Sequence, residues 1–337
     1  MKTTMMAIVL LLASGLACAQ TPDWVTGKSS QYPDELYITG VGSGDSRQEA
    51  ENQARAQIAE VFRVQLNARF TNNKTETLDG SGGNVNGQSV DITRSLVNVG
   101  LVKTLEGSEI ADVWQDPTDM EYYALAVLDR QKASVRIADQ ISALDTVLVE
   151  VGAQIDTVQS KLGKLRLLAS RKDIAVKRQD LNSDYSILSS SGQGLPLPGI
   201  SAEEANSDLV KFCQNEISFS LHSKGPGSGS AKQVLSDGLT SMGFVINDSG
   251  STEPDFRIDI VSNLDPSDTP IDGWYFCRWN VEVRVTSNEN GIILTDVSKS
   301  GRSGQLTVGR ARYRAVYDMD RVVRNLTAEM TKKLMGE

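Results

Sequence analysis

Few residues of this chain have types and spacings that support catalysis. His222 is the only histidine, so any Ser-His-Asp or Cys-His arrangement would have to use it. It lies in the alternating segment "EISFSLHS", out of phase with Phe219 and Leu221, which predicts the exposed face of a strand. The chain also lacks a His/Cys cluster with metal-ligand spacing. We therefore predict no catalytic residue, no metal site and no cofactor.

The glycine-rich segment "ITGVGSGDS" resembles a nucleotide-binding turn in composition. A dinucleotide fingerprint needs a third glycine at its sixth position, where counting from Gly40 places Asp45. The segment therefore favours a strand whose glycines let the chain turn sharply into a helix. Ser46 and Glu49 form a capping-box signature at the start of that helix, which is expected to end near Phe70.

Two groups of charged residues allow a binding interpretation. The three aspartates of "LDPSDTPID" (Asp265, Asp268 and Asp272) could hold calcium, but their spacing fits no EF-hand and favours a solvated loop. Five arginines near the C terminus favour a solvated helix face, with lipid headgroups or cell-wall polymer as the alternative partner; they are Arg310, Arg312, Arg314, Arg321 and Arg324.

The first 19 residues have the pattern of a signal peptide. Their apolar run, residues 5–13, is too short to span a bilayer core of about 30 Å as a helix. Ala17 and Ala19 suit signal peptidase and predict cleavage before Gln20. The alternative is lipidation at Cys18, in a lipid box whose large aliphatic residue is one place late. Either way, we expect an exported chain in the periplasm or at the outer-membrane periphery.

Charge and cysteine content restrict the partners. The net charge is −9, and no clustered basic excess marks a nucleic-acid-binding protein. Beyond Cys18, the chain has Cys213 and Cys277, which in an exported protein are candidates for one disulfide. If a strand begins early enough, Cys213 shares a face with Phe219, and Cys277 shares a core face with Trp279.

The elements that would position these residues form an α+β protein with two small antiparallel-sheet and helix domains. The first covers residues 24–130, and a long coiled-coil-like helical segment or helical hairpin follows over 131–188. The composition of 189–205 is that of a linker. Residues 206–337 then read as β-α-β-β-β-β-α.

Apolar residues recur at alternating steps of four and three in the helical segment, with no proline between Pro117 and Pro196. This pattern predicts a coiled-coil seam on a helix from about 130 to 170. Two alternatives stay open: residues 172–188 fold back on the seam, or the seam pairs with a second copy or another envelope protein. The seam residues are Ile137, Ile141, Leu144, Leu148, Val151, Ile155, Val158, Leu162 and Leu165.

The segments "YITGVGSGDSRQEAENQARAQIAE" and "YYALAVLDRQKA" resemble the bacterial envelope lipoprotein family typified by the twenty-kilodalton Helicobacter surface lipoprotein. The resemblance covers about residues 24–132. It implies antiparallel strands that wrap a helix, a cell-envelope location and no known catalytic residues. At the level of topology, the two α+β units also resemble the flagellar-assembly protein FlgT, and the second resembles the N-terminal domain of TolB.

Together these patterns predict a non-enzymatic, exported cell-envelope protein with a structural or assembly role through protein–protein contacts. Its membrane contact would be through a lipid anchor, where one is present. The alternative is a periplasmic ligand-binding module that uses the C-terminal domain. A long exposed apolar stripe on residues 137–165 would favour assembly, whereas a pocket with converging polar groups in the C-terminal domain would favour ligand binding.

Overall fold

The computed structural model describes residues 21–78, 107–247 and 253–336, without the side chains of 63 and 65–78. The predicted signal peptide, residues 1–19 with Cys18, lies outside the described residues. The helices are α1 (Arg47–Leu78), α2 (Arg130–Thr157), α3 (Lys161–Leu188), α4 (Ala202–Glu216), α5 (Ser228–Ser241) and α6 (Val308–Met335). The strands are β1 (Tyr37–Gly44), β2 (Glu109–Gln115), β3 (Tyr122–Asp129), β4 (Ser218–Lys224), β5 (Val245–Ile246), β6 (Phe256–Pro266), β7 (Tyr275–Ser287) and β8 (Ile293–Gln305).

The chain divides into two compact units. Unit 1 comprises residues 1–140 and 180–195, and unit 2 comprises residues 141–179 and 196–337. The helical segment predicted over 131–188 therefore contributes residues to both units. The α+β class is confirmed for each, and the details of sheet pairing and helix length differ from the prediction.

Unit 1 is a three-stranded antiparallel sheet, in the order β1-β3-β2, with α1 packed on it. The glycines of "ITGVGSG" lie inside β1. A Cβ built on Gly42 would overlap the backbone N of Ala54 and the backbone O of Ala50. The glycines therefore allow close helix–strand contact and do not form the predicted turn. The Oγ of Ser46 accepts a hydrogen bond from Glu49 N at 3.3 Å, and α1 continues to Leu78, past the predicted end.

Unit 2 contains a five-stranded sheet in the order β5-β4-β6-β7-β8. Strand β4 pairs in parallel with both β5 and β6, whereas β6, β7 and β8 are antiparallel neighbours. The prediction of an antiparallel sheet is thus wrong for β4. Helix α5 supplies the crossover that a parallel pair requires between β4 and β5.

The core of unit 2 lies between one face of this sheet and helices α5 and α6. Phe219 and Phe256 are buried with ring centroids 5.2 Å apart. The face of β7 predicted as core is buried, as expected. Trp279 Nε1 donates to Ser303 Oγ, which donates in turn to Asp318 Oδ2, so a polar chain joins the sheet to α6.

The predicted long helix is interrupted. Helix α2 ends at Thr157 and α3 begins at Lys161, with Ser160 Oγ accepting a hydrogen bond from Gly163 N. A serine that caps a free N–H in this way favours a new helix start. The prediction of one helix from 130 to 170 is therefore wrong.

Two seam residues of α2 pack against the chain's own α3. In unit 1, Ile137 joins a cluster that contains Ile187 and Leu188. In unit 2, Leu148 packs with Ala175, and Arg178 Nε donates to Asp145 Oδ1 at 2.9 Å. All nine seam side chains are buried or half-buried. Val151, Ile155 and Leu165 lie in the main core cluster of unit 2, so folding back of residues 172–188 accounts for only part of this burial.

The two described cysteines are free thiols, both buried in unit 2. Cys213 lies on α4, so the argument that placed it on a strand face was wrong. Helix α4 also shortens the predicted linker, because it begins at Ala202 after a capping box between Ser201 and Glu204. Within the described ranges, no helix is long and apolar enough to cross a membrane.

Candidate binding groove

His222, the residue that the sequence analysis weighed for catalysis, is exposed on β4. In the part of the chain that the structure describes, no three His, Cys, Asp or Glu side chains come together in a way that would hold a metal ion. The polar feature that the structure does assemble is a groove in unit 2, between α3 and α4.

The groove is built from one face of each helix and has a volume of about 650 Å³. Helix α4 contributes residues at steps of three, one, three and one, which share one face of a helix. They are Asp208, Lys211, Phe212, Asn215 and Glu216. Helix α3 contributes residues at steps of three, four and three: Lys161, Lys164, Leu168 and Arg171. The opposite face of α4 anchors it in the core through Ala205, Leu209 and Cys213.

One end of the groove is closed by Lys161. Its Nζ donates to the backbone O of Glu216 at 2.7 Å and pairs with Asp255 Oδ1 at 2.9 Å. A cation at the C-terminal end of α4 also complements the helix dipole. The second oxygen of Asp255 accepts from the N and Oγ of Ser218. This network ties α3 to α4 and to the start of β4.

The opposite end of the groove contains Arg171, whose side chain is only 15% exposed. Its Nη2 donates to Asp208 Oδ2 at 2.6 Å. Its Nε is buried and has no acceptor among the described residues. An unsatisfied buried donor costs about 1–3 kcal/mol, so the guanidinium keeps hydrogen-bonding capacity beyond its pair with Asp208.

Two further cations line the groove and make no ion pair with any described residue. Lys164 Nζ lies 5.6 Å from the ring centroid of Phe212, a cation–π contact that holds it against α4. Lys211 is exposed on the same face of α4. The lining as a whole has four cations and three carboxylates, the latter being Asp156, Asp208 and Glu216. With Arg171 paired to Asp208 and Lys161 to Asp255, Lys164 and Lys211 are available to a binding partner.

The sequence did not reveal the groove, because α4 was assigned partly to a linker and partly to a strand. Two signals would have found the helix. Ser201 and Glu204 have capping-box spacing, and Leu209 and Cys213 are four residues apart, as on a buried helix face. No local sequence pattern predicts the contact between Lys164 and Phe212, because that contact depends on tertiary packing.

Residues 22–129 match the family model of the LPP20 lipoprotein. This match confirms the resemblance predicted for the first domain and supports an exported, cell-envelope location. No curated protein sequence matches the chain. The likenesses to FlgT and TolB stay predictions.

Three solved structures are similar to this chain at low identity. The secreted protein HP1454 from Helicobacter pylori is 16% identical, with a TM-score of 0.40, over 86% of this chain and 97% of that one. Lipoprotein GNA1162 from Neisseria meningitidis is 15% identical, with a TM-score of 0.24, over 34% of this chain and 99% of that one. A minor lipoprotein from Acinetobacter baumannii is 13% identical, with a TM-score of 0.24, over 35% of this chain and 90% of that one.

Proposed function

We propose that this chain, whose residues 22–129 match a lipoprotein family, is a non-enzymatic, exported envelope protein with a role in assembly. It would act by holding an acidic polypeptide segment of a partner protein in the groove between α3 and α4. This combines the predicted protein–protein role with the predicted use of the C-terminal domain.

The observation that carries the proposal is the pair of lysines without counter-ions, Lys164 and Lys211, on facing helices. Carboxylates of a partner would complete charge-assisted hydrogen bonds there, and such bonds are about twice as strong as neutral ones. The guanidinium of Arg171, whose Nε has no acceptor among the described residues, adds a further donor to the lining. Phe212 supplies apolar area between the charged groups.

A polypeptide suits the groove better than a small molecule. Small-molecule sites enclose most of their ligand within a mainly apolar lining, whereas this groove is open and mainly polar. Its α3 side, residues 161–171, is about 15 Å long at 1.5 Å per residue, which is the length of about four or five extended residues.

The coiled-coil seam is not part of the proposal. Its nine residues are buried or half-buried within the chain, so they present no exposed apolar stripe to a partner. The exposed apolar side chains of α2, Val135, Val147 and Val149, lie outside the seam. We therefore assign partner contacts to the groove.

In-cell photo-crosslinking tests the proposal. A photoreactive residue at position 215, in the groove, is expected to capture a specific envelope protein that mass spectrometry identifies. The same residue at the exposed position 177 of α3 is the matched control and should not capture it. The charge reversals Lys164→Glu and Lys211→Glu together should reduce capture about tenfold or more, since two charge-assisted contacts are lost. Equal capture at both positions, or capture unaffected by the reversals, would refute the proposal.

A further inference from the structure

Helix α6 has an exposed row of residues on its outer face, five of which are cations. The row follows steps of four and three, which keep residues on one face of a helix. Its members are Arg310, Arg314, Tyr317, Arg321, Arg324, Ala328 and Lys332, each exposed. The opposite face is buried against the sheet and α5, with Ala311, Ala315, Met319, Val323 and Met330 in the core.

Acidic residues do not neutralise this row. Asp318, which is not part of the row, pairs with Arg314, and the distance from Arg314 Nε to Asp318 Oδ1 is 3.1 Å. Glu329 pairs with Lys333, and neither of these residues belongs to the row. Among the described residues, Arg310, Arg321 and Arg324 have no ion pair. The outer face of α6 is therefore cationic in a chain whose net charge is −9.

Two tyrosines accompany the arginines. Tyr313 is 77% exposed and Tyr317 is 54% exposed, and the guanidinium carbon of Arg314 lies 5.0 Å from the Tyr317 ring centroid. Tyrosine rings prefer the boundary between water and lipid, where the ring is buried and the hydroxyl is hydrated. Arginine guanidinium groups match phosphate geometry through two parallel hydrogen bonds.

The row is long and lies on a helix that is capped at both ends. Thr307 caps the N-terminal end of α6 and Gly336 its C-terminal end, and the row from Arg310 to Lys332 is about 33 Å long at 1.5 Å per residue. A flat anionic surface can contact such a row along its whole length. A small anion would use one or two of its cations and leave the rest unpaired.

We propose that the outer face of α6 docks on a bilayer surface that contains anionic phospholipids. The arginines bind headgroup phosphates, and Tyr313 and Tyr317 enter the interfacial layer. The contact is peripheral, because the apolar face of α6 stays in the core of unit 2. It uses residues separate from the groove and is independent of the function proposed for the groove.

Vesicle co-sedimentation of the purified mature chain, residues 20–337, tests this. The protein should bind vesicles of phosphatidylcholine with 30% phosphatidylglycerol, bind weakly to pure phosphatidylcholine, and be released by 0.5 M salt, which screens exposed charges. The triple variant Arg310→Gln/Arg321→Gln/Arg324→Gln should lose binding by about tenfold or more, since each cation near an anionic surface contributes to attraction. The matched control Lys28→Gln/Lys177→Gln/Lys224→Gln removes the same charge from exposed positions elsewhere and should bind like the wild type.

Circular dichroism shows whether the variants are folded. If the triple variant is unfolded, the three single arginine variants are tested in its place. Equal losses in the triple variant and its control would overturn the proposal, because net charge alone would then explain binding. Equal binding to both vesicle types would also overturn it. The proposal would also be overturned if the wild type did not bind vesicles but self-associated through these arginines, as detected by sedimentation at low salt. The row would then be a contact with a second copy of the chain.

Discussion

The two sheets of this protein meet their helices in opposite ways. In unit 1, α1 lies so close to β1 that only Gly40 and Gly42 fit between the backbones, with Ala50 and Ala54 of the helix fully buried there. In unit 2, the contact between the sheet and helices α5 and α6 contains large side chains such as Phe219 and Met319, both fully buried. The helix–sheet contact of unit 1 depends on glycines, which have no side chain, and that of unit 2 depends on large side chains.

This difference determines which substitutions each unit tolerates. A contact between backbones gains its stability from close packing, so adding even one methyl group forces the helix away from the strand. A contact made by large side chains gains its stability from buried apolar area, so removing atoms leaves a cavity. The same chemical change should therefore have opposite consequences in the two units.

The largest effect is expected from Phe219→Ala in unit 2. Phe219 contacts both Phe244 and Phe256, with ring centroids 5.2 Å away in each case, and its loss should reduce the free energy of unfolding by about 3–5 kcal/mol. Hydrogen exchange should accelerate in β4 and β6 and stay unchanged in β1. Val261→Ala, on the exposed face of β6, is the control and should cost less than about 1 kcal/mol. If Phe219→Ala also cost less than about 1 kcal/mol, large side chains would not be what stabilises the helix–sheet contact of unit 2.

A smaller loss, of about 3 kcal/mol at the upper end of the usual range for overpacking, is expected from Gly42→Ala in unit 1. The added Cβ overlaps backbone atoms of Ala50 and Ala54, which cannot move independently of α1. Hydrogen exchange should accelerate in β1 and the start of α1. Gly229→Ala makes the same change on α5, where no heavy atom lies within 4 Å of the new Cβ, and should stabilise unit 2 by up to about 1 kcal/mol. If both variants behaved alike, the comparison between the units would be wrong.

The sequence predicted the features that depend on local pattern. Strands β1, β3, β6, β7 and β8 and helices α1, α5 and α6 follow from alternation, helical periodicity and caps. It did not predict the parallel pairing of β4, because pairing partners are chosen by tertiary contacts. It also missed that Gly42 faces a helix backbone, since a glycine-rich strand end and a glycine turn have similar composition. The groove was missed because α4 was assigned partly to a linker and partly to a strand, and because Lys164 and Phe212 are distant in sequence.

The two buried thiols of unit 2 allow a titration that measures how well its core excludes water. Burial raises the pKa of the Cys213 thiol to about 11 from an ordinary value of 9.0, and burial also raises the pKa of Cys277. Below pH 9 each thiol is protonated in both the folded and the unfolded chain. Between pH 9 and 11 the unfolded chain ionises first, so the stabilising contribution of the raised pKa is lost as the pH rises.

We therefore expect the wild type to lose about 1–3 kcal/mol more of its unfolding free energy than Cys213→Ala does between pH 8.5 and 10.5, measured by urea denaturation under reducing conditions. Comparing the two proteins at each pH removes the contribution of lysines and tyrosines, which titrate in both. Cys277→Ala should show a difference of the same sign. Parallel pH profiles for wild type and Cys213→Ala would mean that water reaches the thiol and that the bulky side chains do not keep the core of unit 2 dry. A Cys213–Cys277 disulfide, detected by mass analysis without reductant, would instead confirm the sequence prediction and place the two sulfurs in contact.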